Sequence, residues 1–359
     1  MFSPDLRPIH AWLQSVYAEC EYPALSEQAS SWAAVRPLEG LAVLDATPVY
    51  RNTLQKHLTL IAAGAHLSVG ISSVMAHDPQ VVDRLRACGI PVYSADTASP
   101  MPKFDLILDC AGSFSSISPR IGYVELTRSG ADAYRKQGKP VFFADGGKIK
   151  RIETCLGTGE SYFRAMRQLG YAEWAGKRLL VFGSGKVGTG ILYYARKAGA
   201  RATVITDPST LHPSLLSCVE NVVDYRDIPS VCAALEHAYA VVTATGVRHA
   251  LEQIPREALL QSGALLTNMG VEDEYGPHIP ESAVLNGKKT INFLLEEPTH
   301  LKYIDATMAL HNAGAVYLAE HEADFTEYAF LNPPVEMESE ILAVTRSKGI
   351  ISEELSIID

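Results

Sequence analysis

Arg178-Leu-Leu-Val-Phe-Gly-Ser-Gly-Lys-Val-Gly-Thr-Gly190 decides the fold of one half of this chain. An apolar run leads straight into glycines at 183, 185 and 188, and Ile191-Leu-Tyr-Tyr-Ala-Arg-Lys-Ala198 continues with helical character. In a strand–turn–helix of this spacing the first glycine permits the tight turn and the second lets backbone approach a pyrophosphate. The third lets helix and strand pack closely. Lys186 and Val187 then open the helix whose N-terminal N–H groups and positive potential attract the anion. A second apolar run, Ala202-Thr-Val-Ile-Thr206, ends in Asp207, about 20 residues beyond the glycines. An acidic group there accepts hydrogen bonds from an adenosine ribose and repels a 2′-phosphate. The stretch therefore predicts a Rossmann domain that binds NAD(H) in preference to NADP(H).

Outward from this motif, short apolar runs alternate with helical segments on both sides. Leu41–Leu44, His66–Ile71, Ile90–Tyr93, Asp105–Leu108 and Pro140–Phe143 read as buried strands, with helical periodicity in Asn52–Ala63, Pro79–Cys88 and Tyr123–Gln137. A second series, Leu179–Phe182, Ala202–Thr206, Asn221–Val223, Ala240–Thr243, Ala264–Asn268 and Thr290–Phe293, gives six expected strands. Alternation of this kind predicts an α/β chain of two doubly wound domains, the second a Rossmann domain inserted in the first. The expected boundaries are 1–155 with 300–345 for a substrate and catalytic domain, 156–299 for the NAD domain, and 346–359 for a tail. Ligands of such sheets bind beyond the carboxyl ends of the strands, so the cleft between the halves is the expected active site.

Composition narrows the partners. A net charge of −10 argues against a nucleic-acid surface, and the chain has no run of 18 apolar residues to cross a membrane. The N-terminus lacks the apolar core of a secretion signal. Six cysteines at 20, 88, 110, 155, 218 and 232 show neither C-x-x-C nor Cys/His ligand spacing. These features predict a cytoplasmic protein with reduced cysteines and no metal, and the expected dinucleotide site and cleft add a small-molecule substrate.

Several further motifs carry a family resemblance. Arg36-Pro-Leu-Glu-Gly-Leu-Ala-Val-Leu44, Leu106-Ile-Leu-Asp-Cys-Ala-Gly112, Gly183–Gly190, Thr243-Ala-Thr-Gly246 and Thr267-Asn-Met-Gly270 together resemble the S-adenosyl-L-homocysteine hydrolases, over roughly residues 20–320. The resemblance implies that Thr245, Gly246, Asn268, Met269 and Gly270 line the cofactor site, and that Thr127 and Ser129 reach the nicotinamide. It also implies bound NAD that oxidises a substrate hydroxyl, so that the neighbouring C–H becomes acidic, and later returns the hydride.

The catalytic pattern of that family is not kept. Its histidine after the first strand falls on Pro48, and its second aspartate in the "ILDDGG" run is Cys110. The second glutamate of "EETTTG" is Leu126, the catalytic lysine falls on Ile149 between Lys148 and Lys150, and the histidine of "CNIGH" is Val271. Its nearby aspartate and cysteine fall on Glu153 and Thr158. The C-terminal sequence has no equivalent of the family's cofactor-reaching tail, which predicts a homodimer.

Four residues are candidates for the chemistry. His311 either exchanges the hydroxyl proton or is a histidine satisfied by local hydrogen bonds. Lys148 and Lys150 either polarise a carbonyl or form a solvated basic loop. Asp109, at the end of an expected strand, either meets a ligand or caps a turn. Glu125 either carries the substrate contact that the resemblance implies or sits on a surface helix, and Asp273 and Glu274 either face the cleft or lie in a solvated loop. The function expected is an NAD-dependent oxidation of a small metabolite on an altered hydrolase scaffold, with or without recycling of the hydride. A silent NAD(H)-binding regulatory or sensor protein is the alternative, and a genuine thioether hydrolase the third reading.

Overall fold

The computed structural model describes residues 4–75, 77–97, 100–127, 130, 132–325 and 327–358. They divide into two compact units, residues 1–150 with 301–355 and residues 151–300 with 356–359. In chain order the strands are β1 Ala42–Asp45, β2 His66–Ile71, β3 Val92–Ser94, β4 Leu106–Asp109, β5 Gly122–Glu125 and β6 Val141–Phe143. Next come β7 Arg178–Phe182, β8 Arg201–Thr206, β9 Asn221–Asp224, β10 Ala240–Thr243 and β11 Leu265–Asn268, and last β12 Phe330–Leu331. All pair in parallel.

Unit 1 holds a seven-stranded sheet in the order β12-β6-β5-β4-β1-β2-β3. The chain runs outward from β1 to β3, returns beside β1 as β4, and then runs the other way. The reversal lies between β1 and β4, whose final residues Asp45 and Asp109 are both fully buried. Helix Pro23–Val35 starts with proline at its first position, and the side chain of Asp305 takes up the orphan N–H groups of Ala24 (2.8 Å) and Leu25 (3.0 Å). Asp305 itself lies in the long helix Leu301–Glu320, so one carboxylate ties two helices 280 residues apart in sequence. Burial pushes that carboxyl up to about 7.

Unit 2 holds a five-stranded sheet, β11-β10-β7-β8-β9. Its core combines Phe182, Ile205, Val231, Val241, Leu266 and Tyr275, contributed by strands, by helix Ile228–Leu235 and by a covering loop. The order reverses at β7, between β8 and β10. Helix Ile228–Leu235 is capped by Asp227, whose carboxylate accepts from Ser230 N–H at 3.2 Å. A wide π-helical turn, Ile152–Gly157, leads into helix Thr158–Gln168, which packs on helix Lys186–Lys197.

Two expected elements differ. The sixth strand of the second series is absent: Ile291–Leu294 forms a 3₁₀ turn, and only Thr290 bridges to the sheet, opposite Asn268. Tyr123–Glu125 belongs to β5 rather than to a helix, because this segment is buried on both faces and shows no alternation. Among the described residues no helix is long and apolar enough to cross a membrane.

Candidate functional site

The turn after β7 has four glycines with unlike reasons for being glycine. A Cβ on Gly183, whose φ is +100°, would lie 2.5 Å from the Ala244 carbonyl oxygen. One on Gly188 would lie 2.0 Å from the Gly183 carbonyl oxygen, and one on Gly190 1.8 Å from the Cys155 carbonyl oxygen. These three positions are filled by the protein's own backbone. At Gly185 a Cβ would meet no described atom within 4 Å, and its φ of −68° suits any residue. Neither packing nor backbone conformation requires glycine there.

Gly185 is the N-cap of helix Lys186–Lys197 and lines a cavity of about 790 Å³. Phe182, Gly183 and Ser184 form its floor, Ile205–Asp207 and Tyr225 one side, and Ala244, Thr245 and the 247–253 turn the other. The cavity thus sits at the order reversal beyond the carboxyl ends of β7, β8 and β10, where open parallel sheets bind ligands. Unpaired N–H groups at the helix start attract an anion there, and Lys186 is exposed at the first helical position. Val187 is half-buried.

Opposite the glycine turn, Thr245 and Gly246 are held by Glu274. Its Oε2 accepts from Thr245 N–H (2.9 Å) and Oγ1 (2.7 Å), and its Oε1 accepts from Gly246 N–H (2.8 Å). Glu274 is fully buried, not the surface loop residue that sequence suggests. Gly270 makes room for it, since a Cβ there would lie 2.1 Å from Oε1. Asn268 is also spent inside the protein: Oδ1 accepts from Thr243 Oγ1 and Gly270 N–H, while Nδ2 donates to the Glu272 and Lys288 carbonyls. Asp273 accepts from Lys288 Nζ at 3.0 Å. Asn268, Met269 and Gly270 therefore shape the wall behind the cavity rather than its lining.

At the end of β8, Asp207 lines the cavity. Hydrogen bonds from Ser209 hold its carboxyl below the usual carboxylate range. Arg226, which sequence reading passed over, reaches it at 3.2 Å.

The remaining candidates lie in unit 1. Asp109 accepts from Cys110 N–H (2.8 Å) and Phe114 N–H (2.8 Å), and its Oδ2 lies 3.1 Å from Tyr134 Oη. Burial pushes its carboxyl up to about 7, against these donors. Glu125, expected on a surface helix, is instead fully buried at the end of β5. It accepts from the N–H groups of Ala111, Gly112 and Thr127, from Thr127 Oγ1, and from Tyr134 Oη, which thus joins the two carboxyl groups. Thr127 is engaged in this network, and Ser129 lies outside the described residues.

His311 is fully buried and donates its Nε2–H to the Val124 carbonyl at 2.9 Å. That bond fixes the tautomer and leaves Nδ1 as a buried acceptor without a hydrogen-bond partner. Burial pushes His311 down to about 3, and the nearby Lys56 charge adds to the shift, so the ring is neutral at physiological pH. Lys150 is buried with Nζ 3.9 Å from Asp145, whereas Lys148 is exposed. Sequence reading missed a group beside His311. Lys56 Nζ meets Asp45 Oδ2 at 2.6 Å and His57 Nε2 lies 3.2 Å from the same oxygen, with all three side chains at most 1% exposed. Its signal was Lys56-His57, two adjacent basic residues inside the helical segment Asn52–Ala63.

Comparison with known proteins agrees with this geometry. Residues 171–279 match a family model described as "Putative NAD(P)-binding". The adenosylhomocysteinase of Thermotoga maritima is 25% identical over 364 residues, spanning 87% of this chain and 88% of that protein. That of Sulfolobus acidocaldarius is 24% identical over 396 residues, spanning 96% and 93%. Among solved structures, a dipicolinate synthase from Bacillus halodurans matches with a TM-score of 0.50 at 12% identity, over 78% of this chain and 98% of that one, which is a likeness of fold.

Proposed function

We propose that this divergent relative of the adenosylhomocysteinases uses its NAD(P)-binding domain to oxidise an alcohol or amine carbon of a small metabolite. The observation that supports this most is Gly185: a glycine that no internal contact demands, at the mouth of a cavity bounded by a helix N-terminus and an aspartate. Gly183–Gly188, Asp207 and Thr245 would hold the dinucleotide, whose nicotinamide accepts a hydride when bound. Glu274 keeps the Thr245–Gly246 turn in place without touching the ligand.

Unit 1 carries ionisable groups of its own. Asp109, with a carboxyl at about 7, can hold or release a proton at neutral pH, and Tyr134 connects it to Glu125. His311, kept neutral by burial, does not act as an acid. Lys150, beside Asp145, offers a positive charge for a carbonyl or carboxylate. This set favours an enzyme over a silent sensor, since a sensor needs no buried ionisable groups at the strand ends. Mass spectrometry of nucleotide copurifying with the protein, followed by a metabolite screen for reduced cofactor, tests the reading. Absence of NAD(H) binding would refute it. The assembly is proposed to be a homodimer; light scattering that gives the mass of one chain or of four would reject this.

A further inference from the structure

The acidic residue at the ribose end of the cavity does not stand alone. Every contact of the Asp207 carboxylate falls on Oδ1: Ser209 N–H at 2.9 Å, Ser209 Oγ at 2.7 Å, and the Arg226 guanidinium at 3.2 Å. Among the described residues, Oδ2 carries none. Arg226 also spans Asp224 with two bonds, Nε to Oδ1 at 2.8 Å and Nη2 to Oδ2 at 2.9 Å. It follows directly after Tyr225, which lines the cavity. Its side chain is 55% exposed, so it is free to turn without breaking a core. Two carboxylates and one guanidinium leave this end with one net negative charge, where Asp207 and Asp224 alone would leave two.

We infer that Arg226 sets the cofactor specificity of this site: it lets the cavity admit NADP(H) while Asp207 keeps NAD(H) preferred. The inference rests on the NAD(P)-binding reading above. Oδ2 is the oxygen that accepts from the ribose diol of NAD(H). When a 2′-phosphate enters, Arg226 swings from Asp207 toward it and keeps a planar fork suited to phosphate. Attraction between one guanidinium and a doubly charged phosphate about 5 Å apart in water is worth roughly tenfold in affinity.

The test is titration of the full chain with NADH and with NADPH, read by nucleotide fluorescence, at low and at raised KCl. The native protein should favour NADH by about tenfold or less. Arg226→Gln should leave NADH affinity within about twofold and weaken NADPH a further tenfold. Arg226→Lys, which keeps the charge but not the fork, should fall between the two. Asp207→Asn should bring NADPH level with NADH. Added KCl should weaken NADPH more than NADH in the native protein, and this extra loss should vanish in Arg226→Gln. An unchanged NADH-to-NADPH ratio in Arg226→Gln would overturn the assignment while leaving nucleotide binding intact. Equal loss of both nucleotides would overturn it too, because Arg226 would then be holding the loop rather than selecting. If the native protein bound neither nucleotide, the binding reading itself would fall.

Discussion

Replacing Lys56 by methionine removes the ammonium from Asp45 while keeping most of the side-chain volume. Asp45 is fully buried and, among the described residues, would keep Thr47 N–H (3.2 Å), Thr47 Oγ1 (2.9 Å) and the His57 ring (3.2 Å). Breaking a buried pair by removing one partner costs about 3–5 kcal/mol. With two Thr47 donors left, the lower end, about 3 kcal/mol, is expected. In a unit of roughly 200 residues that corresponds to a Tm lower by about 6–12 °C.

The pH dependence follows from the direction of each shift. Burial alone would raise Asp45, but Lys56 and His57 outweigh it and hold the carboxyl well below its ordinary value. Burial lowers Lys56 from its own ordinary value, against the attraction of Asp45. The 2.6 Å contact nevertheless supports the ion pair, since a neutral amine would leave the carboxylate uncompensated. A depressed acid stabilises the native state above its unfolded value of about 3.9, and that stability is lost as pH falls through the folded value. Without Lys56, Asp45 rises, so the deficit of the variant is largest at pH 8 and shrinks toward pH 5 as the carboxyl takes up a proton. Urea melts followed by tryptophan fluorescence measure it, in a Trp174→Phe background so that only Trp12 and Trp32 of unit 1 report. Asp45→Asn combined with Lys56→Met should recover more than half of the loss. A deficit below about 1 kcal/mol, or one that does not change with pH, would refute the argument, because surface pairs behave that way and buried ones do not.

Further expectations concern the nucleotide site and the reaction. Gly185→Val should fold normally and lose NADH binding by at least a hundredfold, whereas Gly188→Ala should lower thermal stability first, its Cβ being 2.0 Å from a carbonyl oxygen; calorimetry with NADH titration separates the two. Glu274→Ala should weaken NADH about tenfold and cost about 1–3 kcal/mol, since it strands the N–H groups of Thr245 and Gly246. Asp305→Ala should cost about 1 kcal/mol for the lost helix cap. The purified protein should release no measurable adenosine from S-adenosylhomocysteine in a chromatographic assay, because Pro48, Leu126, Ile149 and Val271 carry no proton-transfer group. Steady release at a catalytic rate would show that other side chains have taken over those roles.

What could be read from sequence was chemistry confined to one short stretch. The strand–turn–helix around Gly185 encodes its own conformation, and the acid at the end of the next strand follows at fixed spacing. Glu125 was misplaced because it was read within a helix, and Glu274 because a charged residue in a loop after a strand ordinarily faces water. Their burial depends on N–H groups of the 111–112 and 245–246 turns, which approach only in the folded chain. Asp45 and Lys56 were missed for a similar reason: each looks solvated alone, and only the fold brings them to 2.6 Å. Thr290–Phe293 has strand composition, but one residue alone reaches the sheet.

The contact between helices Thr158–Gln168 and Lys186–Lys197 bears on how this chain can change over generations. A Cβ on Gly159 would lie 2.3 Å from the Gly190 carbonyl carbon, and one on Gly190 1.8 Å from the Cys155 carbonyl oxygen. Gly190 lies inside the glycine-rich stretch yet answers to a helix crossing, not to a nucleotide. A library sorted on nucleotide binding alone, with stability supplied by second-site changes, would let position 190 drift while fixing 185. One sorted on thermal survival would do the reverse. Two glycines of a single stretch thus answer to different constraints, and in such libraries loss of the cofactor would free Gly185 but not Gly190.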